Sequence, residues 1–379
     1  MQNKKASKNK EEVLINSVSE YLKYTQIVSN LSRQKMLIMT ICSMLKTRSV
    51  VLSEVAVHLN DNAKTESNET RLRDFFREVE FDYEALAQFI FVFLMANPNQ
   101  KIRLTIDRTN WEFGNHCINI LMIIASNGKN HVPLFWELLD NEGGNSNCEQ
   151  RNKLLQKCID LIGSKRIGIL LGDREFIGLK WLKFLKDNKI DFCVRVPKHH
   201  LITTTNGEQL LAQDIWNRNK KPIKYQSCQI DGVWGSALIS QDAKGELLYL
   251  FGTANVNYFD QFYKKRWTIE TIFQSFKSRG LDLEKTHLQL NDKIKKLVGL
   301  VAMAFTFCNT LGVFIDEKEK KIVIRKHKRK TKSFFRCGLD FMRDLFKPKY
   351  KYKQDSIRIF RDFIQFLFIN NDFSLPLKK

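Results

Sequence analysis

Two aspartates stand where predicted strands end, a position that suits the binding of a metal ion. Asp107 closes the alternating segment KIRLTID, and Asp173 closes the apolar run RIGILLGD. A carboxylate at the end of a buried strand is held rigidly at the rim of the sheet, and Mg²⁺ prefers such fixed oxygen ligands. Two ions about 4 Å apart can activate an attacking oxygen and stabilise the leaving oxygen of a phosphodiester. The pair therefore favours metal-dependent phosphoryl transfer, which needs a third carboxylate.

The third carboxylate is predicted in the segment YKKRWTIETIFQSFK, which covers residues 263–277. The segment has helical spacing, and Tyr263, Arg266, Glu270 and Lys277 would lie within an arc of roughly 60°. Glu270 is therefore the candidate third ligand. An apolar stripe beside the arc would fix the rotation of the helix, and it consists of Phe262, Ile269, Ile272, Phe273 and Phe276.

A purely structural interpretation of these residues stays open at this point. Aspartate is common where strands end in turns, so either Asp107 or Asp173 alone could serve only the fold. The polar arc around Glu270 could equally be a helix surface that carries intrahelical salt bridges.

The elements that must position these residues are predicted from the hydrophobic period. From about residue 100, KIRLTID, CINILMIIAS and HVPLFWELL indicate three antiparallel strands, and Asn127 with Gly128 suits a hairpin turn. The segments CEQRNKLLQKCIDLIG, RIGILLGD, FIGLKWLKFLKDN and DFCVRV then alternate between helix and strand. This order predicts a mixed α/β core.

The chain divides into six predicted segments. A disordered basic arm at 1–12 and an all-helical N-terminal domain at 13–97 precede the first part of the core at 98–197. A β-rich stretch follows at 198–256, and the core resumes at 257–315 with the Glu270 helix and a second apolar helix. Residues 316–379 form a basic C-terminal region.

The N-terminal segment contains a candidate helix-turn-helix, with a plain helical bundle as the alternative. In its third predicted helix, Leu72, Phe75 and Phe76 are expected to face inward. The residues expected to face outward are Ser67, Asn68, Thr70, Arg71 and Arg73.

The charge of the chain indicates a polyanionic partner. There are 62 Lys and Arg against 41 Asp and Glu, a net charge of +21 that would attract nucleic acid or an anionic membrane surface. A merely soluble basic protein is the alternative. The C-terminal segments KKIVIRKHKRKTK and KPKYKYK suit phosphate contact and base stacking, or else a solvated flexible tail.

Other sequence features argue against secretion and membrane insertion. No stretch is expected to reach the roughly 18 apolar residues of a spanning helix, and the start of the chain lacks the apolar core of a signal peptide. The eight cysteines form no C-x-x-C pair, which indicates reduced thiols in an intracellular protein rather than a zinc site or disulfides.

Four segments carry a resemblance to a known family. TIDRTNW and LLGDREF resemble two catalytic segments that contain Asp107 and Asp173, and PLFWELL followed by GGNSN resembles the stretch that links them. The spacing of Tyr, Arg, Glu and Lys in residues 263–277 matches a Y-R-E-K signature. The chain thus resembles the DDE transposases of the IS4 family over roughly residues 100–315, and its N-terminal region matches only in general character.

The resemblance implies an RNase H-like catalytic core with a β-rich insertion between the second Asp and the Glu. Asp107, Asp173 and Glu270 would bind two Mg²⁺ ions, for which Mn²⁺ would substitute. Water would free a 3′-OH at a transposon end, and that hydroxyl would form a hairpin on the flanking strand pair and later join target DNA. Glu175 is not counted as a ligand, because a continued strand would point it to the opposite face.

The resemblance also implies partners and contact residues. The partner is double-stranded DNA, at the transposon ends and at the target, bound by a homodimer in the cytoplasm at the bacterial nucleoid and away from membranes. Tyr263, Arg266 and Lys277 would contact phosphates, with Lys264, Lys265 and Arg279 extending that contact. Arg71 and Arg73 would read the terminal inverted repeats. An aromatic of the insertion would receive a flipped base, and the candidates are Trp234, Tyr249 and Phe251.

Two other functions stay open at the level of the sequence. One is a catalytically inactive DNA-binding relative, such as a transposition inhibitor or a domesticated protein. The other is a structure-specific RNase H-like nuclease that cleaves without strand transfer.

Overall fold

The computed structural model describes residues 25–113, 116–140, 144–242, 244–326, 328–347 and 353–370. The predicted disordered arm at 1–12 and the start of the predicted helical N-terminal domain lie outside the described residues. All eight cysteines lie within them and carry free thiols.

One mixed sheet is the frame of the molecule. Its strands are β1 (Ile102–Phe113), β2 (His116–Ser126), β3 (His131–Leu139), β4 (Ile167–Gly172), β5 (Phe192–Arg195), β6 (Leu201–Thr204), β7 (Gln209–Leu211), β8 (Ile223–Ile230), β9 (Val233–Gln241) and β10 (Leu247–Gly252). They lie in the order β3-β2-β1-β4-β5-β10-β9-β8-β6-β7. The predicted antiparallel meander β1-β2-β3 and the mixed α/β class are confirmed, with β4 and β5 parallel to β1.

Helices cover the sheet and supply the rest of the core. They are α1 (Leu31–Thr47), α2 (Leu52–Val57), α3 (Thr65–Glu78), α4 (Tyr83–Val92), α5 (Cys148–Ile162), α6 (Leu179–Asp187), α7 (Ala212–Asn219), α8 (Phe259–Phe276), α9 (Asn291–Phe314), α10 (Phe334–Phe346) and α11 (Lys353–Asn370). α4, α5 and α9 pack on β3, while α8 packs on β1, β4 and β5. The apolar run of β2 is buried accordingly, since these side chains pack between the sheet and its helices.

The described part of the N-terminal segment is helical, from α1 to α4. Leu72, Phe75 and Phe76 of α3 are buried, as expected. The expectation that Asn68 faces outward was wrong. Its side chain is 1% exposed and donates hydrogen bonds to the carbonyls of Ala56 and Asn60, which fasten α3 to the end of α2. These helices share one hydrophobic cluster with the sheet. Their assignment to a separate N-terminal domain stays a prediction.

Residues 198–256 are rich in strands, and those strands continue the main sheet. β10 pairs antiparallel with both β5 and β9, and β8 pairs with β9. Gly252 permits the close approach of β10 to β5, since a Cβ there would collide with the backbone of Phe192. The interpretation of this stretch as an insertion stays a prediction.

α9 is the central core helix. Together with the π-helical turn Ile315–Glu319, it is long and apolar enough to cross a membrane by length and composition, so the expectation that no such stretch exists was wrong. However, 94% of its most apolar window is buried inside the protein.

The C-terminal region is folded where the structure describes it. α10 buries Phe335, Leu339 and Met342 against the core, and α11 buries Phe363 and Leu367. The alternative of a flexible tail concerned the basic segments KKIVIRKHKRKTK and KPKYKYK, which lie before α10 and between the two helices. Residues 348–352 of the second segment lie outside the described residues.

Candidate functional site

Adjacent parallel strands bring Asp107 and Asp173 to one level of the sheet. The last pair between β1 and β4 joins Ile106 to Gly172, and the two aspartates follow directly. Asp173 stands one residue beyond β4, as predicted. Asp107 does not end its strand, because β1 continues to Phe113 in a ladder with β2. The prediction was wrong on this point, since it is the neighbouring strand β4 that ends at this level.

α8 brings the third carboxylate to the two aspartates. Its apolar stripe is buried at Ile269, Ile272, Phe273 and Phe276, whereas Phe262 is only half-buried. The stripe fixes the rotation of the helix, and the polar arc consequently faces β1 and β4. Tyr263, Arg266 and Glu270 all lie on this arc, in agreement with the expected helical spacing.

Arg266 links the carboxylates of two separate elements. Its Nη1 donates to Asp107 Oδ2 at 2.9 Å, and its Nη2 donates to Glu270 Oε1 at 2.5 Å. The residue is 5% exposed. Burial lowers the pKa of the Arg266 guanidinium, but Tyr263, Asp107, Asp173 and Glu270 together raise it above its ordinary value. Arg266 is therefore a permanent buried cation among three acids.

Tyr263 holds the second aspartate. Its hydroxyl donates to Asp173 Oδ1 at 3.1 Å, and the N–H of Arg174 donates to the same oxygen at 2.8 Å. Burial raises the pKa of the Tyr263 phenol to about 12, so the hydroxyl stays protonated and remains a donor. The ring also lies 5.3 Å from the Arg266 guanidinium, which fixes the two side chains against each other.

Asp107 is the most perturbed acid of the group. Burial raises the pKa of its carboxyl to about 7, against the opposing effects of Arg266 and of the Arg108 N–H. The charges of Asp173 and Glu270 raise it further. The three carboxylates therefore form one electrostatic group, in which each negative charge disfavours the next.

The donor set suits a hard divalent cation. Asp107, Asp173 and Glu270 offer the carboxylate oxygens that Mg²⁺ prefers, and their clustered negative charge would favour a cation. Nevertheless, no group of three or more His, Cys, Asp or Glu in the described chain is arranged to hold a metal ion. Arg266 supplies the positive charge here, because it bridges Asp107 and Glu270. Arg266 contacts one oxygen of each carboxylate, Asp107 Oδ2 and Glu270 Oε1.

Lys277 stands at the C-terminal end of the polar arc. α8 ends at Phe276, and Lys277 is its capping residue, whose N–H still donates to the Phe273 carbonyl at 3.0 Å. Its Nζ donates to the carbonyl of Asn110 at 3.0 Å and pairs with Glu284 at 2.8 Å. Asn110 is three residues beyond Asp107, so Lys277 is placed roughly 10 Å along β1 from the carboxylates.

A second network lies behind the first and was missed from the sequence. Arg108 Nε donates to Glu175 at 2.6 Å, and its Nη1 donates to the carbonyl of Gly144 at 2.8 Å. Ser146 donates to the other oxygen of Glu175 at 3.0 Å and accepts from Arg151 at 2.8 Å. Gly144 and Ser146 of the GGNSN segment are thus hydrogen-bonded to Arg108, the residue after Asp107, and to Glu175, two residues after Asp173.

This network changes the argument about Glu175. The carboxylate was set aside on the ground that β4 continues, but β4 ends at Gly172. Glu175 instead pairs with Arg108, whose side chain alternates with that of Asp107 along β1. The recurrence of Asp-Arg in TIDRT and GDREF was the available signal for a paired arrangement.

Within the described chain, none of the remaining candidates forms a hydrogen bond with the three carboxylates. Arg71 and Arg73 lie exposed on α3, where Arg73 pairs with Glu69 at 2.6 Å. Trp234 is 46% exposed, whereas Tyr249 and Phe251 are buried in the core. Lys264, Lys265 and Arg279 are exposed.

Comparison with known proteins identifies a family. The family model described as "Transposase DDE domain" matches residues 100–307, more than half of the chain. No curated protein matches. A solved structure of the C-terminal lobe of a budding yeast Argonaute is 12% identical, covering 62% of this chain and 61% of that chain, with a TM-score of 0.22. This chain therefore spans about three fifths of that structure.

Proposed function

Because the chain belongs to the transposase DDE domain family, we propose that it is the DNA transposase of an insertion sequence of the IS4 family. The family implies an RNase H-like core. The observation that carries the proposal is the placement of Asp107 and Asp173 at one level of adjacent strands, with Glu270 joined to Asp107 through Arg266. Residues from three distant parts of the chain thereby form one acidic site.

The reaction is phosphoryl transfer on DNA. Asp107, Asp173 and Glu270 would hold two Mg²⁺ ions, which would supply nucleophile activation and charge neutralisation. Water attacks the phosphorus at a transposon end, the bond to the 3′ oxygen breaks, and a 3′-OH is released. That hydroxyl attacks the phosphorus that joins the opposite strand to the flanking DNA, so that a hairpin forms and the flanking 3′ oxygen leaves. Water then opens the hairpin, and the regenerated 3′-OH attacks a target phosphate and displaces a target 3′ oxygen.

Arg266 and Tyr263 are suited to hold the DNA at this site. The planar guanidinium of Arg266 matches a phosphate in bidentate geometry, and its Nε has no hydrogen-bond partner in the described chain. In the proposal the Arg266 guanidinium would move from the carboxylates to a DNA phosphate, because cations held by Asp107, Asp173 and Glu270 would neutralise those carboxylates. The Tyr263 hydroxyl would likewise move its hydrogen bond from Asp173 to a DNA phosphate. Lys277 caps α8, and its ammonium lies beside Asn110 of β1. In the proposal it contacts the next part of the DNA backbone.

Recognition of the element's ends is assigned to the N-terminal helices. Arg71 and Arg73 are exposed on α3 and are the proposed contacts to the terminal inverted repeats. The proposal includes a homodimer that joins two DNA ends, Trp234 as the exposed candidate for stacking on a flipped base, and a place in the bacterial cytoplasm at the nucleoid.

The proposal is tested with DNA that carries the element's own ends. The purified chain is incubated with this DNA and Mg²⁺ or Mn²⁺, and the products are separated under denaturing conditions. Nicked ends, hairpins and joined target products are expected, and EDTA should prevent the formation of all three by chelating the metal ions. Cleavage without any joined product would favour the structure-specific nuclease. Binding of the ends without cleavage would favour the inactive DNA-binding relative.

A further inference from the structure

A short basic hairpin projects from the end of the core helix. Residues 322–326 and 328–332, here called the basic hairpin, include an antiparallel bridge between Ile324 and Lys330. The N–H of Thr331 donates to the carbonyl of Val323 at 2.8 Å, and the N–H of Arg325 donates to the carbonyl of Arg329 at 2.8 Å. The segment is therefore an ordered ribbon rather than a loose basic tail.

A buried carboxylate anchors the base of the basic hairpin. Asp316 is almost fully buried, and its Oδ1 accepts hydrogen bonds from the Ile322 N–H at 2.8 Å and from the Lys330 ammonium. Burial raises the pKa of the Asp316 carboxyl, but these two donors hold it below its usual value. Asp316 belongs to the turn that continues α9, so the ribbon is tied to the central core helix.

The tip of the basic hairpin carries cations that the fold does not use. Arg325, Lys326, Lys328 and Arg329 are all exposed, and no carboxylate within the described ranges forms a salt bridge with any of them. The nearby acids are engaged elsewhere: Glu317 pairs with Lys129, and Glu319 pairs with Arg358. Four uncompensated charges within five residues repel one another and favour a polyanion.

Two apolar side chains accompany these cations. Val323 is 65% exposed and Ile324 is 63% exposed, the highest values among the large hydrophobic residues of the described chain. An exposed ribbon that combines arginine, lysine and branched apolar side chains has the chemistry of a DNA-groove element, because cations contact phosphates and apolar groups contact sugars and base edges. The major groove also has the width to admit a two-stranded ribbon.

We propose that the basic hairpin is a second contact surface for duplex DNA, distinct from the carboxylate site. The proposal rests on the proposed function only in taking DNA as the partner. The contacts are to phosphates and do not depend on base sequence. The tip residues Arg325, Lys326, Lys328 and Arg329 bind the backbone, while Asp316 positions the ribbon.

The position of the basic hairpin separates it from the chemistry. Trp136 lies across β2 from Asp107 and donates to the carbonyl of Lys295 near the start of α9. Asp316 stands about 20 residues later, which at 1.5 Å per residue is roughly 30 Å along the helix axis. Duplex DNA spans that distance in about 9 base pairs. The basic hairpin would therefore contact DNA about one helical turn away from the reacting phosphate.

Salt-dependent binding of an arbitrary duplex tests this surface. The full chain and the triple variant Arg325→Gln, Lys326→Gln, Arg329→Gln are titrated with a labelled 30-base-pair duplex in EDTA, between 50 and 200 mM NaCl. Each phosphate contact contributes about 0.9 to the slope of log K against log salt, so the slope should fall by about 2 to 3. A triple variant at exposed lysines of α5 and α6, Lys153→Gln, Lys180→Gln, Lys183→Gln, is matched in charge. An unchanged slope for the hairpin variant, or an equal loss in the control, would overturn the proposal.

A second variant separates geometry from charge. Asp316→Asn makes the protein more positive by one charge, so a purely electrostatic interaction with DNA would strengthen. On the proposal it weakens binding, because the ribbon loses its anchor. Thermal unfolding confirms that the core is intact. Equal or tighter binding by folded Asp316→Asn would contradict the assigned positioning role.

An anionic membrane is the alternative partner that the experiment must distinguish from DNA. Vesicles containing about one third phosphatidylserine are titrated with the same variants. Loss of vesicle binding together with an unchanged DNA slope would overturn the proposal. Because the DNA assays contain neither element ends nor metal, they fail or succeed independently of the cleavage assay for the proposed function.

Discussion

Arg266 Nη1 lies 2.9 Å from Asp107 Oδ2, while Nη2 of the same guanidinium reaches Glu270 Oε1. One arginine of α8 thus neutralises a carboxylate of β1 and one of its own helix. Without a cation at this place, two acids would face each other in a mostly buried site. The contact explains how this acidic group is compatible with a folded chain.

Removing this arginine should destabilise the protein strongly. Arg266→Ala leaves buried Asp107 without its cation, and breaking a buried pair costs about 3–5 kcal/mol. The free energy of unfolding is measured by urea denaturation at pH 8 in EDTA. Arg73→Ala removes the exposed pair with Glu69 and should cost at most about 0.5 kcal/mol. Equal losses in the two variants would show that the buried bridge is not stabilising.

Magnesium should compensate for the loss of Arg266. With the guanidinium gone, the three carboxylates can place their oxygens around a divalent cation, and a ligand that binds only the folded state raises its stability. Millimolar Mg²⁺ should therefore raise the melting temperature of Arg266→Ala more than that of the wild-type chain in the absence of DNA. The account is contradicted if Mg²⁺ leaves both melting temperatures equally unaffected.

The raised pKa of Asp107 predicts a defined pH dependence. With a carboxyl pKa near 7 in the folded chain and about 3.9 when unfolded, the unfolded state loses this proton first as pH rises. Stability from this group is then fully present below about pH 4 and falls as pH increases to about 7, by at most about 1.4 kcal/mol per unit. Asp107→Asn removes the ionisable carboxyl, and with it this loss of folding stability as the pH rises.

The measurement is the stability difference between Asp107→Asn and wild type at pH 5 and pH 7.5, without metal. The difference should shift in favour of the variant at the higher pH. Asp187→Asn, at an exposed position on α6, controls for a general charge effect. A shift in the opposite direction would mean that Arg266 outweighs burial at Asp107.

The direction of Glu270 should matter more than its charge. Exchanging Glu270 with the exposed neighbour Thr271, as Glu270→Thr with Thr271→Glu, keeps composition and charge but turns the carboxylate by about 100° around α8. DNA cleavage should be lost while circular dichroism and DNA binding are retained. Retained cleavage by the exchanged variant would remove Glu270 from the site.

Glu175 should act by positioning its neighbours. Glu175→Ala leaves Arg108 without its 2.6 Å partner, and this loss should shift the part of β1 that carries Asp107 beside Arg108. Glu175→Gln keeps an oxygen acceptor for Arg108. We expect cleavage to fall for both variants, with the glutamine variant recovering much of the loss and Mg²⁺ affinity following the same order. Equal loss in the two variants would argue for a direct chemical role.

The strand and helix order was accessible from the sequence because each element has a clear hydrophobic period. The apolar run of β4 and the helical stripe of α8 predicted where Asp173 and Glu270 would stand. Asp107 was misplaced within its strand because a ladder with β2 carries β1 past the end of β4, and pairing partners are not visible in local periodicity. Asn68 was misplaced because its burial depends on two carbonyls of another helix.

Contacts between distant segments account for the other differences. Lys277 caps α8, and the hydrogen bond from its ammonium to the Asn110 carbonyl of β1 could not be read from helical spacing. The Arg108–Glu175 pair joins residues far apart in the chain. Polar side chains of this kind leave no periodic signal, since one hydrogen bond decides their direction.

The central claim is that Asp107, Asp173 and Glu270 form one metal-dependent DNA-cleaving site. The most direct measurement is Mg²⁺-dependent cleavage of element-end DNA by Asp107→Asn, Asp173→Asn and Glu270→Gln, each beside the Asp187→Asn control. The account predicts that each site variant binds the DNA but loses cleavage by about a thousandfold or more, while the control cleaves like wild type. Normal cleavage by any one of the three site variants would contradict the claim.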